Sequence, residues 1–248
     1  MKYILLTALR DWLFSMLMLG ILVCTLIAHM LGGTALIENQ EMTVSFTSAA
    51  VRGVVVIGLI IFACFHVRSA FDSKEIDVFL SRPITRTNLV FSYWLGFGAV
   101  ATLLTIPMLG LVAVQGIMNM KGFIFWGVSL LVECWLVVTI ALFASFTLRS
   151  AVTSTLASMG FYAFARLAGF FLAIIDADSK SGWLSGAPGK ILKMITAIVP
   201  RLDFFARSDW LIYGLKQVGE WEFLVAQAVA VIALLLLATV VDFRRRQF

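Results

Sequence analysis

Two residues demand a chemical explanation before any others: Glu133 and Arg166, each ionisable and each set well inside a long apolar run. An ionisable side chain in hydrocarbon is costly and suggests function. The runs holding them are joined by a very short turn at Arg149-Ser150, so they form antiparallel neighbours. Each residue lies about ten positions below the outer end of its run, and at 1.5 Å per residue the two share one depth. Opposite charges at one depth on adjacent helices predict an ion pair. Its role is either to fix the rotation of the two helices or to serve in a substrate path, and both readings stay open. His29 and Arg52 fall near outer ends, where they can snorkel or be wet. Catalysis finds little material. His29 and His66 are the two histidines and sit at opposite ends of the first two runs, so a shared metal or acid–base site is disfavoured. Cys24, Cys64 and Cys134 each sit in an apolar run with no CxxC spacing, as small buried hydrophobes do.

The elements that position these residues follow from composition. The chain is 61% hydrophobic and 13% charged, against about half and a quarter in soluble domains. A 248-residue soluble protein has no surface for so much apolar mass, so lipid is its solvent. Runs long enough to span occur at roughly 12–32, 50–67, 93–115, 123–147, 151–175 and 222–242. The expected fold is all-α: one transmembrane domain over 1–248, with six transmembrane helices, a short cytoplasmic helix and outer interfacial helices. The first run is longer than a signal-peptide core and reads as an uncleaved helix. The net charge of +5 is spread over connectors, which argues against nucleic acid as a partner and for orientation against anionic lipid. Lys2, Arg10, Arg68, Lys74, Arg82, Arg86, Arg149 and Arg244-Arg245-Arg246 all fall on one side. That side is the cytoplasm by the positive-inside rule, with both termini there. The long fifth connector, about 176–221, also carries basic residues and resists the rule.

The connector after the second span has the densest pattern. Asp72 is placed to cap a helix, with Glu75 three residues on. Ile76, Phe79 and Leu80 then share one helical face, and Pro83 disfavours helix at Arg82. This predicts a short amphipathic helix flat at the inner surface, and Thr85 or Thr87 can cap the next span. Such a helix either seals the bundle or docks a partner.

Glu75, then Phe79-Leu80-Ser81-Arg82-Pro83-Ile84 and Arg86, resembles the cytoplasmic motif of ABC-2 type permeases. A second likeness is Pro200-Arg201-Leu202-Asp203-Phe204 followed by Asp209-Trp210-Leu211 and Tyr213-Gly214, similar to the segment before the last span in that family. Ser73-Lys74 departs from the family's common Gly-Thr-like pair. The resemblance implies a membrane subunit of an ATP-driven exporter in a bacterial cytoplasmic membrane. Glu75, Ile76, Phe79, Leu80 and Arg82 would contact an ABC ATPase on another chain, and a second permease chain, identical or not, would complete the assembly. The sequence has no GxxxxGK[ST] loop, so ATP and Mg belong to the partner and this chain is not itself the enzyme.

In the outer connector Ile191, Leu192, Ile195, Ile198 and Val199 form an apolar stripe, and Trp183, Trp210, Tyr213 and Trp221 suit an interface. One or two short helices at, or dipping into, the outer leaflet are expected, as an exit gate or as plain anchoring. The alternative to an exporter subunit is another polytopic membrane protein: a channel, a secondary transporter or a scaffold. Nearly uniform spans without an internal repeat disfavour the first two.

Overall fold

The computed structural model describes residues 12–32, 39–73, 85–178, 194, 200–214 and 219–245. Within them every regular element is helical: α1 (Trp12–Gly32), α2 (Asn39–Asp72), α3 (Arg86–Val114), α4 (Met120–Thr147), α5 (Ala151–Asp178), a 3-10 turn (Leu202–Phe204), α6 (Asp209–Tyr213) and α7 (Gly219–Arg245). Among the described residues five helices are long and apolar enough to cross a membrane: α2, α3, α4, α5 and α7. The apolar described part of α1, Ser15–Met30, is shorter. Five of the six expected spans thus have a counterpart among the described residues that is long and apolar enough to cross.

Helix α4 is the axis of the bundle. It touches α2, α3, α5, α6 and α7, and Leu130, Cys134, Val137, Val138, Ala141 and Leu142 along it are buried. Helix α1 packs on α2, while α7 packs on α3 and α4. The outward faces are apolar, with Met30, Ile106, Leu156, Phe170 and Leu234 each more than half exposed. In water that surface would be untenable; in lipid it is the expected one. Packing between helices relies on shape instead of hydrophobic drive. Gly98 of α3, for instance, leaves the space filled by the Trp135 ring of α4.

Two local expectations are corrected. The second span begins at Asn39, not near residue 50, so Glu41 lies in the first turn of α2. A hydropathy run marks only the stretch in hydrocarbon, whereas a helix continues into the polar zone, helped here by an acid at its positive end. Asp72 is the last residue of α2 and pairs with Arg68 one turn back at 2.6 Å; the helix it was expected to cap lies outside the described residues. Trp210 is buried instead of standing at an interface. Thr85 does cap α3, accepting from the Asn88 N–H at 3.3 Å. Glu75, Ile76, Phe79, Leu80 and Arg82 lie outside the described residues, as do Ile191, Leu192, Ile195, Ile198, Val199, Trp183, Arg246 and the Trp221 side chain.

Candidate functional site

The site is built where irregular backbone enters the bundle. Segment Pro200–Gly214 runs alongside α4 from its Met120 end toward mid-depth. At that end Gly214 holds a positive φ of 71° beside Asn119. One turn deeper the Trp210 carbonyl sits against Gly122, so closely that no Cβ fits there. Deeper still, the Ala206 N–H donates to Ser129 Oγ at 2.9 Å. Ser129 lies about 14 Å along α4 from Met120 at 1.5 Å per residue. The turn Leu202–Phe205 meets Arg166, near the middle of α5. Non-helical backbone at such depth survives only when protein satisfies its polar groups.

Two arginines perform that task. Arg166 Nη1 donates to the carbonyls of Leu202 and Phe205, the latter at 2.8 Å. Arg52 Nη1 of α2 donates to the Ala206 carbonyl at 2.7 Å. Ala206 itself has φ 46°, a left-handed conformation that costs a non-glycine residue roughly 1–2 kcal/mol. The hydrogen bonds to both its N–H and its carbonyl hold it there. Ser48 Oγ reaches Ser208 Oγ at 3.1 Å, a further tie from α2. Asp203 pairs with Arg201 at 2.9 Å and lies in the space that Gly169 of α5 leaves open. The Arg201 guanidinium stacks 4.2 Å from the Phe204 ring centre.

Glu133, fully buried, stands behind Arg166. The Tyr162 hydroxyl donates to Glu133 Oε1 at 2.8 Å, and Arg166 Nη1 lies 3.6 Å from the same oxygen. The second oxygen, Oε2, has no hydrogen-bond partner among the described residues. The distance of 3.6 Å is beyond a direct hydrogen bond. The carboxylate therefore neutralises Arg166, while the guanidinium spends its short contacts on the connector. The structure thus brings Glu133 and Arg166 together, with the backbone carbonyls as the arginine's principal partners. Chemically the cluster grips: cationic donors are trained on carbonyl oxygens, and one carboxylate orients a donor. Among the described residues no three His, Cys, Asp or Glu side chains converge as a metal site.

Sequence reasoning placed Arg52 at a wet outer end, but it points into the bundle onto Ala206. Ser129 and Tyr162 went unremarked, although a signal for them existed. Ser129 and Glu133 are four apart on α4, and Tyr162 and Arg166 four apart on α5, so each pair shares a helix face. A face carrying two polar residues in an apolar span is the mark of an inward polar seam.

No family model matches the chain, and no curated protein matches it.

Proposed function

We propose that this chain is the membrane subunit of an ATP-driven exporter of the ABC-2 kind, with its ATPase on a separate chain. The observation that carries the reading furthest is the gripped segment Pro200–Gly214, an irregular, tethered stretch at membrane depth in a bundle whose remaining long elements are apolar helices. A pure scaffold has no use for so costly an arrangement, whereas a transporter needs a part that can be released. The residues around Glu75–Arg86 add the resemblance to the family's ATPase-contact motif.

In this reading α1 is the sixth crossing, and both termini lie in the cytoplasm of a bacterium. The connector between α2 and α3 docks on the ATPase through Glu75, Ile76, Phe79, Leu80 and Arg82. Helix α2 runs without a break from that connector to Arg52, about 30 Å at 1.5 Å per residue. A displacement of its inner end by the ATPase is carried to the Arg52–Ala206 bond, loosening the gripped segment toward the outer side. Two copies, or this chain and a related one, flank the export path. The cargo is amphipathic or lipid-like, because the helices offer few polar groups to anything else.

The test is affinity purification in mild detergent from native membranes, followed by ATPase and export assays on the recovered complex. An ABC-class ATPase should co-purify, and Phe79→Ala or Glu75→Arg should reduce its recovery and abolish export without impairing membrane insertion. Recovery of the chain without any ATPase, in lipid-supplemented detergent, would count for the scaffold or channel alternative.

A further inference from the structure

Away from the gripped segment, the bundle has a long groove on its outer face with a volume near 690 Å³. Its walls come from α3 (Thr87, Phe91, Trp94), α4 (Leu131, Val132, Trp135) and one face of α7 from Val225 to Val240. Thr87 apart, every lining side chain is a hydrocarbon or an indole. Both indole N–H groups are committed inside the bundle, Trp94 to Thr139 Oγ1 at 2.9 Å and Trp135 to Thr102 Oγ1 at 3.2 Å. The groove is therefore apolar along its whole floor.

Its end is different. On α7 the lining residues Val225, Val229, Ala233, Leu236 and Val240 step along one face, and the next residue on that face, four beyond Val240, is Arg244. Arg244 Nη2 donates to Thr87 Oγ1 at 3.0 Å, which fixes a guanidinium on the residue that closes the groove. Arg245 beside it is exposed, and Arg86 donates to the Phe243 and Arg244 carbonyls at 3.2 and 3.3 Å. An apolar trough thus opens under a basic cluster at the membrane surface.

We propose that this groove is a binding site for one anionic phospholipid, with an acyl chain along α7 and the phosphate on Arg244 and Arg245. From Val225 to Val240 the groove runs about 22 Å at 1.5 Å per residue. That exceeds one leaflet, about half of a ~30 Å hydrocarbon core, so a full acyl chain fits lengthwise. A second copy's helix is the rival occupant, and in a parallel pair it would bring its own Arg244 and Arg245 against this cluster, whereas a phosphate neutralises it. Basic pockets between membrane helices bind anionic headgroups for this reason.

Trp94 and Trp135, two of the chain's seven tryptophans, line the site and report on it. The full chain is reconstituted in liposomes holding a fixed small fraction of lipid with brominated acyl chains, which quench tryptophan on contact. The probe is brominated phosphatidylglycerol in a phosphatidylcholine background, compared with brominated phosphatidylcholine in the same background. Brominated phosphatidylglycerol is expected to show an apparent partition at least about fivefold higher, the scale set by one arginine at an anionic surface. Arg244→Gln with Arg245→Gln should erase that preference while leaving the melting temperature near wild type. Trp135→Phe should remove part of the selective quenching, which locates it in the groove. Equal quenching by both lipids overturns the proposal, as does a preference that survives the double arginine variant. Disulfide-linked dimers of Val229→Cys, in a background lacking Cys24, Cys64 and Cys134, would assign the groove to a second copy instead. None of these outcomes depends on whether an ATPase binds the chain.

Discussion

At the scale of single residues, the fate of Arg166 decides how the intramembrane charges are understood. Breaking a buried ion pair from one side typically costs 3–5 kcal/mol, because the surviving charge is left alone. Arg166 has a second duty, since it also serves the Leu202 and Phe205 carbonyls. Arg166→Gln is therefore expected to lower stability more than Glu133→Gln. The double variant should recover part of the Arg166→Gln loss, by removing the stranded carboxylate, without reaching wild type, because the carbonyls still lack their cationic donor. Thermal unfolding of the four proteins in detergent measures this as a coupling energy; purely additive losses would remove the pair from the account. Tyr162→Phe deletes a neutral donor to Glu133 Oε1 and should cost about 1–3 kcal/mol. Glu133 and Arg166 were legible in the sequence because a charge in an apolar run has no bland explanation. Arg52 was not. Its apolar run starts near residue 50, so it looked terminal, whereas α2 starts eleven residues earlier and carries it to depth. Ala206 gave no sign either, for an alanine with φ 46° announces nothing that a glycine would.

At the scale of elements, the join between α4 and the connector is a backbone-to-backbone contact. A Cβ on Gly122 would run into the Trp210 carbonyl and the Gly214 backbone. Gly122→Ala is expected to destabilise by about 1–3 kcal/mol, the usual scale for overpacking. Because backbone is what it meets, Trp210→Phe should not relieve the loss, and a double-mutant cycle checks that. Ala206 tests the depth of the grip. Replacing it with glycine removes roughly 1–2 kcal/mol of left-handed cost but adds about 0.5–1 kcal/mol of chain entropy, so stability should hold or rise slightly. Ala206→Val should lose well over 1 kcal/mol, since a β-branched residue at positive φ is a true outlier and the site is buried. The same melting experiment reads both, and tolerance of valine would mean that the segment is not held as described. The course of this connector was poorly legible because irregular backbone has no period. Pro200–Gly214 could be recognised as a segment, but its path into the bundle depends on hydrogen-bond partners from α2, α4 and α5 that are 36 to 160 residues away in sequence. Helix existence, by contrast, was plain from run length, and the errors lay at the polar ends, where hydropathy falls silent and helix does not.

At the scale of the whole molecule, the placement of charge makes a prediction about sidedness. Ser73, after α2, and Arg149-Ser150, between α4 and α5, belong to one end of the bundle, together with Arg244 and Arg245. Gly116–Asn119, between α3 and α4, belongs to the other. The first end is basic: Arg68, Arg86, Arg149, Arg244 and Arg245 gather there, and Asp72 answers Arg68 at 2.6 Å. At the second end the short connector between α3 and α4 has Lys121 as its one nearby basic residue, and Glu41 lies in the first turn of α2; the long fifth connector adds Arg201 and Arg207, paired with Asp203 and Asp209, and resists the rule. Short connectors rich in arginine stay on the cytoplasmic side, so the first end should face inward. Single cysteines at Ser73, Ser150 and Met118, each in a background without Cys24, Cys64 and Cys134, put this to an impermeant thiol reagent on intact cells. Met118→Cys should label, while Ser73→Cys and Ser150→Cys should label only after permeabilisation. The opposite pattern would carry segment 74–84 to the outside, beyond reach of any cytoplasmic ATPase. It would also place the gripped end of Pro200–Gly214 on the cytoplasmic side, and the exporter reading would fail on both counts. The lipid site would survive that reversal, since a basic cluster over an apolar groove selects an anionic headgroup in whichever leaflet it meets one.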